Sequence, residues 1–444
     1  MDRYLLEVNM RADASSRFHK DHRWGYFPSF SAGWRMNEEG FMKDIEWINN
    51  LKIRASYGTL GNINNVGNYD YFQNYSSGNH YNFSDLPVIG IGESKPANET
   101  LGWEKVALTD IGLDFDIFNG LLGVTADYYI KNTSDILLGY NVPTETGITA
   151  APSQNIGKVK NTGFELALNH RNKIGAVNYS IGANIATNKN KITNLGGSDN
   201  IIQTSSYIVK YILKKGESIG SFYGFKTDGL YTQADIDAGH YYTLSGVVPN
   251  AGDVKFVPQR DIEYKQEITD EDRTILGKDV PDFTYGVNLS LQYKGFEFSM
   301  FGQGISGTKV AFDVYGVHPF YHGQDNPRKY HLKRWTEENP NPYAAYPRLY
   351  SASSVHTTYN RNFSDYHLFD SDYFRFKTLS LGYTVPSATV KSWGLQSLKV
   401  YVTGENLFTV RADKKMEDFD PETAGGVIYT LGTKSVAFGV NISF

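Results

Sequence analysis

Four groupings in this sequence combine side-chain type and spacing in ways that could do chemistry. Gly216-Glu217-Ser218-Ile219-Gly220 fits G-x-S-x-G, the turn that raises a nucleophilic serine between a strand and a helix. The next residues, Ser221-Phe222-Tyr223-Gly224, are aromatic and glycine-rich without a helical period, so Ser218 is expected in a plain turn. His318 and His322 stand four apart, a metal-ligand spacing on a helix, but Pro319 and Gly323 break any helix there. Ile268 to Arg273, "ITDEDR", with Asp261 and Glu263 upstream, offers oxygen ligands for calcium but lacks the glycine of a calcium loop. These two segments are expected as solvated surface loops. The chain has no cysteine, which removes thiolate metal sites and cysteine nucleophiles. No catalytic, cofactor-binding or metal-binding residue is assigned, and the chain is not expected to be an enzyme.

The fourth grouping is aromatic. The segments 68–83 and 315–330 are rich in Tyr, Phe and Asn, which stack on sugar rings and hydrogen-bond hydroxyls. Tyr69, Tyr71, Phe72, Tyr75, Tyr81, Phe320 and Tyr321 are therefore candidate contacts to a ligand or to a protein partner. Tyr330 to Pro340 reads as one short helix in a long loop, with Leu332 and Trp335 on one face.

The elements that carry these loops are strands. The 444 residues include 43 Gly, 32 Tyr and 26 Phe, a composition suited to twisted strands and tight turns. Net charge is −5, so no basic field invites nucleic acid. No run of about 18 apolar residues exists, which excludes a transmembrane helix but not a barrel, half of whose strand residues face a polar lumen. The N-terminal residues lack the features of a signal peptide and read as a strand, with Tyr4, Leu6, Val8 and Met10 on one face. The same alternation recurs in about thirteen segments, many about 9–11 residues long, the length that crosses a bilayer at a tilt. Phe118-Asn119-Gly120 and Lys294-Gly295 mark hairpin turns, a further turn lies near Lys173 to Gly175, and the alternation slips phase near Lys377, as at a β-bulge.

Two architectures share this rhythm. A secreted soluble sandwich, such as a glycan-binding module or a β-sandwich hydrolase, packs its apolar faces together. A membrane barrel turns them to lipid. Strand length favours the barrel, as do aromatics at strand ends (Trp24, Trp34, Tyr128, Tyr383) and the contrast of short turns with long polar loops at 59–102 and 304–370. In a barrel, Arg54, Asp114, Asp116, Asp127 and Lys131 face the lumen, either shaping its field or standing as solvated wall. The chain ends on Val436, Phe438, Val440, Ile442 and Phe444, an apolar face kept to the final residue.

The segments "RWGYFPSFSAGWR", "LKIRASYGTLGN", "NIGKVKNTGFEL", "GESIGSFYGFKTDGLY", "PDFTYGVNLSLQYKGFEFSMFGQG", "RWTEENPN", "FRFKTLSLGYTVP" and "VTGENLFTV" with "DFDPET" resemble, in this order, the C-terminal half of SusC/RagA-like TonB-linked outer-membrane receptors. The resemblance implies an all-β fold, an antiparallel transmembrane barrel of about 22 strands with long extracellular loops. Residues 1–444 are expected to supply about 13 of those strands, with the plug domain and TonB-contacting segment absent and the strand Leu5 to Arg11 and the terminal strand as two bare edges. It implies a place in the bacterial outer membrane, among its lipids, and TonB-dependent import of oligosaccharides or peptides. A SusD-like lipoprotein partner is implied, TonB acting through the N-terminal part that is missing here, and a terminal strand read by the assembly machinery.

Overall fold

Alternating apolar and polar residues dictate extended chain, since successive side chains of a strand point to opposite faces. The computed structural model describes residues 2–83, 86–139, 153–204, 208–312, 318–320, 326–422 and 432–444. Thirteen strands form one sheet. In chain order they are β1 (Tyr4–Ala14), β2 (Trp24–Arg35), β3 (Ile48–Asn62), β4 (Glu104–Ile117), β5 (Leu122–Gly139), β6 (Ser153–Ile174) and β7 (Val177–Thr187). Then come β8 (Lys189–Leu195), β9 (Phe283–Tyr293), β10 (Phe296–Ser306), β11 (Tyr373–Thr384), β12 (Ser397–Arg411) and β13 (Ser435–Ser443). Neighbours in space are almost always neighbours in sequence: β1 to β7 in order, then β9 to β13, with β8 on β6 off this path. This up-and-down order is that of outer-membrane barrels. β1 and β13 stand at its two ends, each with one strand neighbour among the described residues, as expected of the two edges.

The turns match the signals in the sequence. Phe118, Asn119 and Gly120 take positive φ between β4 and β5, and Lys294 and Gly295 take φ of 47° and 89° between β9 and β10. The bulge expected at Lys377 is present: the β11 register slips between Phe376 and Thr378 against β12 and at Phe301/Gly302 against β10.

The chain divides into two compact units, with a boundary inside β6 after Leu166. The first holds β1 to β5, most of β6, and β8. Its strands expose their large apolar residues: Leu6 is 79% exposed, and Val8, Ile53, Tyr57, Ile111 and Tyr128 are open as well. The second holds β7 and β9 to β13, and Ile181, Leu381, Val400, Phe438 and Val440 are exposed in the same way. Among the described residues, the exposed apolar face of the thirteen-stranded sheet packs against no second sheet in either unit, which is not the packing of a soluble sandwich.

The buried cores lie elsewhere, in the connections. In the second unit, Phe225, Val254, Phe256, Ile268, Trp335 and Tyr359 form one cluster, and Phe312, Tyr330, Phe369, Met416 and Phe419 another. In the first, Phe18, Val66, Tyr71 and Leu101 pack together. The long loops are thus folded bodies rather than solvated polar chain. One expectation fails in detail. Residues Lys329–Lys333 make a single 3-10 turn, Trp335 is buried, and Leu332 is 75% exposed, so the two share no face. The Trp335 backbone instead bonds to Tyr346, which ends the helix before a second turn.

Candidate functional site

The chemistry of the strands sits on their polar face. In the first unit, Arg54 on β3 lies among three carboxylates. Its guanidinium pairs with Asp127 at 2.6 Å, Asp110 at 3.3 Å and Asp114 at 3.3 Å, with Lys52 near Asp114. Register explains the grouping: Arg54 is opposite Gly112, and Gly112 is opposite Asp127. Any Cβ at Gly112 would collide with both side chains, so the missing side chain makes the floor on which the pair lies. Of the five charged residues expected on the lumen side, the structure brings together Arg54, Asp114 and Asp127. Asp116 accepts a bond from Asn50 instead, and Lys131 is outside the cluster. Alternation in the sequence puts Asp110 and Gly112 on the polar face with Asp114, but only the strand register brings them to Arg54.

The aromatic candidates divide by burial. Tyr69 is exposed and held at φ 63°, a conformation that costs a bulky residue energy. Phe72 is exposed beside it, with ring centroids 5.9 Å apart. Tyr71 is buried against Phe18, Val66 and Leu101 and meets the Phe72 ring at 4.4 Å and a 32° tilt, so it anchors Phe72 to that core. Strands Asn74–Phe83 and Leu86–Lys95 form a separate hairpin, on which Tyr75 and Tyr81 are exposed and Tyr81 meets Phe83 at 4.7 Å. In the second unit, Phe320 is exposed with φ 61°. Tyr321 lies outside the described residues.

The catalytic and metal patterns become ordinary structure. Ser218 sits between Gly216 and Gly220, both at positive φ, in the turn joining strands Lys210–Lys214 and Ser221–Gly224, with no helix after it. His318 is buried and bonds the Tyr346 hydroxyl at 3.1 Å, so it is core rather than surface loop; His322 lies outside the described residues. In "ITDEDR" the Asp272 carboxylate is buried and already served by Arg260 at 2.7 Å and by the backbone of Gln259, Arg260 and Thr269. Burial alone would raise its pKa, but these donors outweigh it and hold the carboxyl down to about 2. Asp270 and Glu271 pair with Arg273 and Arg260 in turn, so each carboxylate of the motif itself already has a cationic partner.

A second ion-pair network, in the second unit, gives "DFDPET" a structural role. Arg375, buried on β11, pairs with Asp420 at 2.7 Å and Glu422 at 2.9 Å, both from that motif, and Lys377 shares Glu422. The motif pins the β12–β13 connection to β11. In the terminal strand, Val436, Phe438, Val440 and Ile442 share one exposed face, opposite Gly404, Val402, Val400 and Leu398, and Phe444 is 81% exposed.

Comparison with known proteins agrees with this geometry. The family model described as TonB dependent receptor-like, beta-barrel, matches residues 1–407. TonB-dependent receptor P3 of Formosa agariphila is 32% identical over 413 residues, covering 92% of this chain and 39% of that protein. TonB-dependent receptor SusC of Bacteroides thetaiotaomicron is 28% identical over 455 residues, covering 100% of this chain and 42% of that one. The solved structure of the RagAB peptide transporter superposes with a TM-score of 0.76 at 25% identity, over 100% of this chain and 46% of the matched chain. The chain therefore spans less than half the length of the relatives it matches.

Proposed function

The chain belongs to the TonB-dependent receptor β-barrel family, of SusC/RagA type and seated in the outer membrane, and from that premise we propose that it forms the C-terminal part of a barrel importing oligomeric nutrients. The strand faces carry this reading: apolar residues such as Leu6 and Ile111 in the first unit and Val440 in the second are exposed, while Arg54 and its aspartates occupy the opposite face of the first unit's strands. Lipid outside and water inside is the environment that rewards that arrangement. The cargo would be a glycan or a peptide, as the name of the RagAB peptide transporter suggests for one relative. A SusD-like lipoprotein is the expected partner over the loops. TonB would act on the part of such receptors to which this chain does not align. Exposed Tyr69, Phe72, Tyr75, Tyr81 and Phe320 are the contacts we assign to cargo or partner.

The test is uptake. Cells carrying the protein in its native operon should accumulate a fluorescent oligosaccharide or oligopeptide only while TonB is present. Equal accumulation without TonB would defeat the proposal. We assign the terminal face Val436 to Phe444 to barrel assembly. Removing Phe444 should lower the yield of heat-modifiable barrel in the outer membrane, and an unchanged yield would withdraw that role.

A further inference from the structure

On the second unit, strand registers bring one class of side chain into a row. Ser180 on β7 is opposite Ser290 on β9, which is opposite Ser299 on β10. Ser299 is opposite Ser380 on β11, and Ser380 is opposite Thr403 on β12. Directly opposed residues share a face, and strands stand about 4.8 Å apart, so five hydroxyls run across the polar face over about 19 Å. A recess of about 270 Å³ opens on this row, lined by Gln292, Ser299, Ser380, Tyr401, Thr403 and Asn441 among others.

Three features define what the recess can hold. The first is an aromatic floor. Tyr401 is opposite Gly439, and a Cβ on Gly439 would collide with the phenol ring. Glycine there lets the ring lie against β13, beside the hydroxyl row. The second is charge. The ionic groups lining the recess are Glu297 and Lys399, and they neutralise each other. The third is the backbone. β9, β10, β11 and β12 each have strands on both sides, and β13, which adds Asn441, is paired with β12 on the side of the recess, so no free edge opens into it for an extended peptide to join. The remaining groups are hydroxyls and carboxamides that both donate and accept, next to an aromatic surface. Charged termini and side chains find no counter-ion here, and peptide backbone finds no strand edge. An uncharged ring carrying several hydroxyls finds both of its needs, an apolar surface to lie on and paired donors and acceptors at its rim.

We propose that this recess is a subsite for a neutral saccharide ring on the polar wall, with Tyr401 as its platform and Ser299, Ser380 and Thr403 as hydroxyl partners. The inference rests on reading that face as the wet wall of an import barrel, and it selects an uncharged glycan over a peptide as cargo.

The experiment measures binding apart from transport. The purified chain in detergent micelles is titrated with cellohexaose and maltohexaose, monitored by saturation-transfer NMR, against hexaglycine and hexagalacturonate. At least one neutral hexasaccharide should bind, and the peptide and the polyanion should bind more weakly or not at all. Tyr401→Ala should weaken saccharide binding about tenfold, and Tyr401→Phe should stay within about threefold, because the ring face makes the contact. Thr403→Val, which removes a hydroxyl with little change of shape, should weaken it about threefold. Heat-modifiable mobility on gels checks that each variant is folded. Binding of the peptide alone, or unchanged saccharide affinity in folded Tyr401→Ala, overturns the subsite. TonB-independent accumulation in cells would strike the import reading instead, and leave a measured saccharide affinity standing.

Discussion

The second unit places the same kinds of residue in opposite circumstances. On β12 and β13, Val400, Phe438 and Val440 are exposed, Phe438 by 84%. In the β8–β9 and β10–β11 connections of the same unit, Phe256, Phe312 and Tyr359 are at most 1% exposed. A water-soluble protein does not place phenylalanine and valine on an open strand face over several strands, because each costs free energy in water. The loops obey that rule and the strands break it. The difference is one of solvent: hydrocarbon around the strands, water around the loops, with the polar rows of the sheet turned to the side lipid does not reach.

The sharpest way to test the contrast is to make the same kind of deletion in both places. Phe256→Ala empties a buried site packed by Phe225 and Tyr359, with ring centroids 5.6 and 5.1 Å away, and should destabilise the loop core by about 3–5 kcal/mol. Phe438→Ala removes a ring of similar size from the lipid side and should leave the loop core unmoved. Hydrogen exchange of the loop amides separates the two, and equal protection loss in both variants would erase the distinction. The converse substitution comes next. Val440→Arg introduces charge on the outward face and should cost about 2–4 kcal/mol of stability in a bilayer, less toward the rim. Measured by urea unfolding in liposomes, a cost near zero would mean that this face does not meet lipid. On the opposite face of the strands, Arg54→Ala leaves Asp110, Asp114 and Asp127 without their shared cation. The site is partly exposed, so the loss falls between surface and buried ion pairs, about 1–3 kcal/mol. The double variant Arg54→Ala, Asp127→Asn should recover part of it in the same assay.

The same divide governs how much was legible in the sequence. Strands announce themselves because alternation is a local pattern: "SVAFGVNISF" gives β13 and its outward face with no knowledge of its partner, and Asn119-Gly120 gives the turn that starts β5. The bulge at Lys377 was readable because a phase slip is local too. The loop cores were not. Phe225 and Tyr359 are 134 residues apart in sequence and meet in one cluster, and neither lies in a periodic run. Short irregular segments carry no face until their neighbours are known. The same holds for the polar wall. Asp110 joins Arg54, and Ser290 joins Ser299 and Ser380, only through register between strands. His318 shows the cost of judging such a residue alone: beside Pro319 it looked like loop surface, and it is buried against Tyr346.

Acid gives the smallest and most selective separation of loops from strands. His367 is buried in the loop core. Its Nδ1 lies 3.1 Å from the Ser364 hydroxyl, its ring is 5.3 Å from His318, and Tyr366 and Phe363 flank it. Burial first, then the charges of Lys415 and Arg361, lower its pKa from 6.5 to about 4, against a hydrogen bond with Asn360 that raises it. A depressed histidine is neutral in the folded state where the unfolded chain would be protonated. Its stabilising share is therefore complete above pH 6.5 and is lost as pH falls from 6.5 through about 4. At pH 5.5, one unit below the unfolded value, the loop core should have lost about 1.4 kcal/mol from this group. His318, also buried and held well below the usual histidine value by that burial, adds to the same trend. Asp272 titrates elsewhere: its pKa near 2 keeps its share intact until pH drops below about 4, so the two windows do not overlap. Between pH 7 and 5.5, amides of residues 355–370 should exchange faster while those of β12 and β13 hold, and His367→Gln should flatten the slope. If strands and loops loosened together over that range, they would be one cooperative body, and the division by solvent would have no separate energetic meaning.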